Sequence, residues 1–185
     1  MISTTVLSDN WYVLRKATFD YQRADGTWSR QEREAYDRGN GATILLYDEA
    51  RRTVILTRQF RMPAYLNGHD DGMLLEAPAG LLEGDDPTEA IRRETAEETG
   101  VIVGEVTHLF DVFMSPGSVT ELVSFFAAPY TASDRVLRGG GILSEGEDIE
   151  VLELGLEEAR QMVEDGEIVD GKTIMLLQWA ALNRF

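Results

Sequence analysis

The stretch that most confines this chain is Asp86–Thr99, because both of its ends are punctuated. Asp86 stands as an N-cap with Pro87 at the first helical position, Glu89 completes a capping-box spacing, and Gly100 supplies a left-handed stop. A helix is therefore expected here with little freedom to slide. On a wheel of about 100° per residue, Glu94, Glu97 and Glu98 share a face with the apolar Ala90 and Ile91. A merely solvated acidic face would lie opposite that stripe. The acids also crowd the C-terminal end, where the helix dipole disfavours each negative charge by ~0.3–1 kcal/mol. Arg93, four residues before Glu97, is placed to pair with it and relieve part of this cost. Acids gathered in such a place ask for a cation, and oxygen ligands on a rigid helix suit Mg²⁺ or Mn²⁺. An ordinary charged helix is the alternative, and geometry alone leaves the two even.

Around this helix the chain alternates short strands with few helices. Trp11–Tyr21 and Thr27–Tyr36 form a hairpin signal about Ala24-Asp25-Gly26. Ala42–Tyr47 and Thr53–Phe60 make a second pair, followed by a polar loop at Gly68–Gly72 and a strand at Met73–Ala77. Val106–Phe113, Leu122–Ala128 and Ile149–Leu154 are further strands, and Leu156–Asp165 and Lys172–Asn183 are helices. Thr131–Gly146, with Gly139-Gly140-Gly141, is expected to be the loosest segment. The class is mixed α/β.

Composition removes several functions. The 185 residues carry a net charge of -16, which argues against binding nucleic acid through its phosphates. The first 61 residues hold ten Lys+Arg against eight Asp+Glu, so the acidity lies in the remainder. An anionic substrate would then need a divalent metal or the arginines of the first third between itself and that surface. There is no cysteine, hence no disulfide, thiolate site or cysteine nucleophile. The apolar runs are too short for a membrane span, and residues 1–30 lack a signal-peptide pattern, so a cytoplasmic protein with no membrane partner is expected.

Ala79-Gly80-Leu81-Leu82-Glu83-Gly84-Asp85, followed by Arg93-Glu94 and Glu97-Glu98-Thr99-Gly100-Val101, resembles the signature box of the Nudix hydrolases. Asp85 stands where the pattern has Glu, the loop after Gly80 is one residue short, and Thr95 replaces an aliphatic residue. Met114-Ser115-Pro116-Gly117, with Pro116 sixteen residues after Gly100, resembles the nucleoside-diphosphate-sugar branch. Tyr36–Thr43, Arg58–Arg61, Gly139–Gly141, Glu147–Glu150 and Asp170–Thr173 are similar to bacterial GDP-mannose pyrophosphatases, in which the short loop also occurs. The resemblance covers nearly the whole chain.

It implies an α/β/α sandwich with a mixed sheet over residues 41–185, and an antiparallel β subdomain over residues 1–40 used in dimerisation. It implies a metal site of the Ala79 carbonyl, Glu94, Glu98 and Glu147, holding two or three Mg²⁺ ions, with Mn²⁺ as a substitute. Catalytic roles fall to Glu98, Glu147, Glu97 and Arg93. Substrate contacts fall to Trp11, Arg33, Glu34, Arg61, Ala79, Gly80, Leu81, Glu121 and Lys172, part of them reaching a homodimer partner's site. Trp11 stands for a tyrosine of the subfamily, Glu32 for a basic residue and Gly146 for an acidic one. The reaction implied is hydrolysis of a nucleotide sugar, GDP-mannose first. The alternatives are ADP-ribose or another nucleotide sugar, and a Nudix domain that senses nucleotides without cleaving them.

Other signals are set aside. Gly166–Thr173 matches G-x-x-x-x-G-K-[ST], but a helix precedes it and too little chain follows for a nucleotide-binding sheet. His69 reads as exposed and His108 as a surface or half-buried strand residue; Trp28 and Trp179 read as packing residues.

Overall fold

The computed structural model describes residues 1–142, 144, 146 and 148–185. Its strands are β1 (Ser3–Asp9), β2 (Val13–Gln22), β3 (Trp28–Asp37), β4 (Gly41–Asp48), β5 (Thr53–Phe60), β6 (Met73–Glu76), β7 (Ala79–Leu81), β8 (Thr107–Phe113), β9 (Leu122–Pro129) and β10 (Glu150–Gly155). The helices are α1 (Met62–Leu66), α2 (Pro87–Thr99), α3 (Leu156–Glu164) and α4 (Gly171–Asn183). They divide into two compact units, Met1–Asn40 with Phe113–Leu122, and Gly41–Val112 with Val123–Phe185.

The first unit is an antiparallel meander, β1-β2-β3, whose β2–β3 register runs from Val13↔Asp37 to Gln22↔Trp28. Its turn is fixed by Asp25, which accepts from the Thr27 amide and hydroxyl, so the expected hairpin forms. Arg15–Asp37 and Arg30–Asp20 pair across the strands. No residue among 1–40 is buried. β1 precedes the expected hairpin, and two expectations need correction. Trp11 lies in the bend before β2 rather than opening a strand. Trp28 is 66% exposed, so it is not a packing residue of this chain.

In the second unit a mixed sheet runs β10-β5-β4-β9-β8, with β6 on β5 and β7 on β4. β4 is parallel to β9 and antiparallel to β5 and β7. All eight β4 residues are buried, as a strand covered on both faces requires: the run from Ala42 to Tyr47 is apolar except for Thr43, whose hydroxyl donates to the Pro78 carbonyl. Ala42, Ile44 and Leu46 join Ile91 of α2, Val101, Val103 and Phe126 in one cluster. On the other pleat, Tyr47 meets Trp179 of α4 edge-on at 6.3 Å. The sheet thus carries α2 on one face and the α3–α4 pair on the other, an α/β/α sandwich.

α2 keeps its read boundaries. Asp86 accepts from the Thr88 amide at 2.9 Å and Gly100 closes the helix at φ 76°. Thr95, polar in a fully buried place, donates its hydroxyl back to the Ile91 carbonyl at 2.6 Å, which makes it tolerable there. Gly166–Thr173 joins two helices, α3 and α4, and Asp170 caps α4 through the Thr173 amide. The P-loop likeness is therefore accidental. His69 is half-buried rather than exposed, 3.4 Å from Asp71. Residues 136–141, expected to be loose, are bonded to the C-terminal end of α2. Among the described residues no helix is long and apolar enough to cross a membrane.

Candidate active site

β7 and α2 lie side by side, and two close approaches bind them. The Ala79 amide donates to Glu98 Oε2 at 3.2 Å, and Glu98 is only 3% exposed. One residue on, a Cβ at Gly80 would fall inside the Glu94 side chain, so only glycine lets that carboxylate pass over β7. Ala79, Gly80, Glu94 and Glu98 are thereby brought together, and Leu81 continues β7 opposite Gly41. Glu97 is half-buried one residue before Glu98. Carboxylates and a strand's carbonyl form a hard-oxygen donor set that fits a divalent ion such as Mg²⁺. Among the described residues no three carboxylate or imidazole groups form a metal cluster. Glu147, assigned to the same site by resemblance, lies outside the described residues.

Arg93 does not take the partner expected for it. Its guanidinium donates to Asp85 at 2.6 Å and to Glu94 at 3.3 Å, not to Glu97. The wheel considers only α2, whereas the turn before the helix brings Asp85 back beside Arg93. The Asp85 hydrogen bond, acting against burial, pushes Arg93 above its ordinary range. Asp85 thus has a defined part in the shortened box: it anchors the arginine that steadies Glu94.

A second set of charges in the same unit was only half legible. Arg61 donates to Glu76 Oε2 at 2.8 Å through Nε, with a second guanidinium nitrogen 2.6 Å away. Lys172 Nζ lies 2.7 Å from Asp170 and 3.8 Å from Glu76. Asp170 also accepts the Thr173 hydroxyl, which in turn accepts from the Ala77 amide at 2.6 Å. Burial, the largest single influence, would lower Arg61, but the charge and hydrogen bond of Glu76 together with the charges of Glu98 and Asp170 outweigh it and hold the guanidinium above its usual value. Glu76, 5% exposed, holds Arg61, while Lys172 is held by Asp170 and lies near Glu76. Sequence reasoning missed it because it ends an apolar strand and belongs to no quoted motif. The one usable signal was an acid in an otherwise apolar run.

The remaining assigned residues lie in the first unit. Arg33, Glu34, Ala35, Pro116 and Thr120 help to line a cavity of about 670 Å³. Arg33 donates to the Glu32 carbonyl and the Gln31 side chain, while Glu121 lies 3.5 Å from Arg38. Trp11 is 81% exposed, its ring perpendicular to that of Tyr12 with centroids 6.2 Å apart.

Comparison with known proteins agrees with this geometry. Residues 37–177 match the model of the NUDIX domain, and residues 1–36 match that of the GDP-mannose pyrophosphatase NudK N-terminal domain. A GDP-mannose pyrophosphatase of Pectobacterium atrosepticum is 58% identical over 183 residues, covering 99% of this chain and 94% of its own. Proteins of the same name from Klebsiella pneumoniae and Salmonella arizonae are 55% and 53% identical, covering 97% and 99% of this chain and 89% and 95% of theirs. Nudix hydrolases use a divalent metal, which the oxygen donors of β7 and α2 suit. With the box on a β7–α2 junction and the family model matched from residue 37 to 177, this chain belongs to the Nudix hydrolases.

Proposed function

We propose that this enzyme hydrolyses the diphosphate of a nucleoside diphosphate sugar, with GDP-mannose as its substrate and GMP and mannose 1-phosphate as products. The observation that carries this reading is the 58% identity, over 99% of the chain, to a protein named for that reaction. The paired carboxylates of Glu94 and Glu98 beside β7 support it chemically.

The Ala79 carbonyl, Glu94, Glu98 and Glu147 would hold Mg²⁺, two or three ions in all, with Mn²⁺ as a substitute. When bound, such ions offset the diphosphate charge that otherwise repels a nucleophile. In the reaction, water bonds to one phosphorus, the bridging P–O bond breaks, and the water's proton passes to a base. A carboxylate at the site takes that proton: Glu147 is the first candidate, and Glu97 or Glu98 the second. Arg93 keeps Glu94 in place through Asp85. Arg61, held by Glu76, and Lys172, held by Asp170, are cations for the phosphates, and Gly80 and Leu81 supply backbone along β7. Arg33, Glu34 and Glu121 take base and sugar, with Trp11 stacking.

The protein works as a homodimer in the cytoplasm, with residues 1–40 forming the dimerisation subdomain and residues 41–185 the hydrolase domain. A sheet in which nothing is buried has no core of its own, and a second copy supplies one.

The test is a panel of GDP-mannose, ADP-ribose, GDP-glucose and diadenosine polyphosphates with Mg²⁺, its products identified by chromatography. GMP with mannose 1-phosphate, and the highest kcat/KM on GDP-mannose, is the expected result. Preference for ADP-ribose would overturn the substrate and point to Trp11, Glu32 and Gly146, where the chain departs from its subfamily. Binding without cleavage of any member would move the chain to the sensing domains.

A further inference from the structure

The acids of α2 sit where the helix dipole opposes them, and the structure holds an answer to that. The carbonyls of a helix's last turn normally lack partners and carry its partial negative charge. Here a glycine-rich segment wraps that end. The Gly140 amide donates to the Glu98 carbonyl at 2.8 Å and the Gly141 amide to the Glu97 carbonyl at 3.1 Å. Val136 and Leu137 both donate to the Gly100 carbonyl, at 3.1 and 3.0 Å. An antiparallel bridge between Val101 and Arg135 holds the segment's start. Gly140 also accepts from the Ile149 amide at 3.2 Å, just before β10.

The approach is close enough to demand glycine. A Cβ on Gly139 would lie 2.6 Å from the Thr99 carbonyl carbon and 2.8 Å from the Gly100 nitrogen. A Cβ on Gly100 would meet the Leu137 carbonyl oxygen. At Gly140 there is room, the nearest atom being the Ile149 oxygen at 3.6 Å, although its φ of 100° still favours glycine.

We infer that Gly139 and Gly140 are positioning residues, a backbone clip that holds the last turn of α2 and with it Glu97 and Glu98 in working orientation. Four N–H groups aimed at this turn offset its negative end, so two carboxylates can be carried there without the turn fraying. Gly140 is bonded at once to Glu98 and to Ile149, so the clip ties this turn to the far end of the segment that carries Glu147. It acts on the reaction only through those carboxylates, and so rests on the proposed role of α2 in hydrolysis.

The test compares the wild type with Gly140→Ala, Gly139→Ala and Gly166→Ala. Gly166 has a comparable φ of 78° with open space around it, away from the clip, and so controls for backbone strain alone. Two readouts are taken: amide hydrogen exchange at residues 136–141 in the metal-free protein, and kcat and KM for GDP-mannose. Gly166→Ala is expected to match the wild type in both. Gly140→Ala should lose some protection and some kcat. Gly139→Ala should lose protection and about 10- to 100-fold in kcat, since displacement of a catalytic group by about 1 Å costs that much, with KM nearly constant. Unchanged kcat with free exchange in the clip would overturn the inference, as would lost kcat with protection intact, or an equal loss in Gly166→Ala. If Gly139→Ala does not fold, Gly140→Ala against Gly166→Ala decides it by the same criteria. Failure of the functional reading would show separately, as a wild type that cleaves no nucleotide sugar.

Discussion

Glu98 concentrates what single side chains decide in this protein. It is a carboxylate 3% exposed, bonded to the Ala79 amide and facing β7 across a gap that Gly80 keeps open for Glu94. Glu98→Gln keeps the shape and an acceptor for that amide while removing the charge. It is expected to fold with a thermal midpoint close to the wild type and to lose at least about 100-fold in kcat at saturating Mg²⁺. Near-normal turnover would remove Glu98 from the chemistry. The spacing of the box acids set them on the helix face that packs inward, where the structure has Glu98 buried and Glu94 and Glu97 half-buried. Their assignment to a metal came from the resemblance of the box. Partners reached through a turn were not legible. Arg93 found Asp85 rather than Glu97, and Glu76 escaped notice although it holds Arg61 and lies near Lys172.

Elements with punctuated ends or one clear pattern were readable: α2 between Asp86 and Gly100, β4 as a run apolar but for Thr43, and the β2–β3 hairpin about Asp25. Those without either were not. β1 has scarcely any buried side and so no alternation, α1 is five residues begun by Met62-Pro63, and β7 is three residues long. A glycine triplet suggests slack chain, yet here glycine serves contact. The pairing of β10 with β5 permits a prediction of its own. Burial would raise Glu153, but hydrogen bonds from Tyr130, Arg51 and Thr53 outweigh it and hold its carboxyl below the ordinary range. A carboxyl lowered in the folded state adds stability above its unfolded pKa and loses it as pH falls through the folded one. Glu153→Gln should therefore unfold at lower urea than the wild type at neutral pH. That gap should close as pH falls below the ordinary glutamate value of about 4.3 and on through the lowered folded one, where the wild-type side chain is uncharged as well. A gap independent of pH would show that the charge of Glu153 contributes nothing.

The two units differ in how they hold together. The sandwich has a core on both sides of β4, whereas the meander of residues 1–40 buries nothing and leaves Val6, Leu7, Trp11, Tyr21 and Trp28 in solvent. If that sheet is the dimer surface, Trp28→Asp places a charge where the second copy packs and should shift sedimentation from dimer toward monomer. An unaltered sedimentation coefficient would remove Trp28 from the interface. The charge zones change at residue 61, inside the second unit, so they do not mark this division, and the exposure of the sheet left no trace in the composition. The pairing of β4 with β9 reaches further. These parallel neighbours, Gly41↔Val123 onward, are separated by about eighty residues of chain, while β1, β2 and β3 pair with one another through short connections. Loop closure makes such distant parallel pairing slow, and synthesis proceeds from the N-terminus. The meander therefore emerges from the ribosome able to pair at once, yet its hydrolase domain cannot close until β9 has been made. For that interval it stands as a nascent sheet with open edges, and the charges on its strands are what keep it from joining the wrong neighbour.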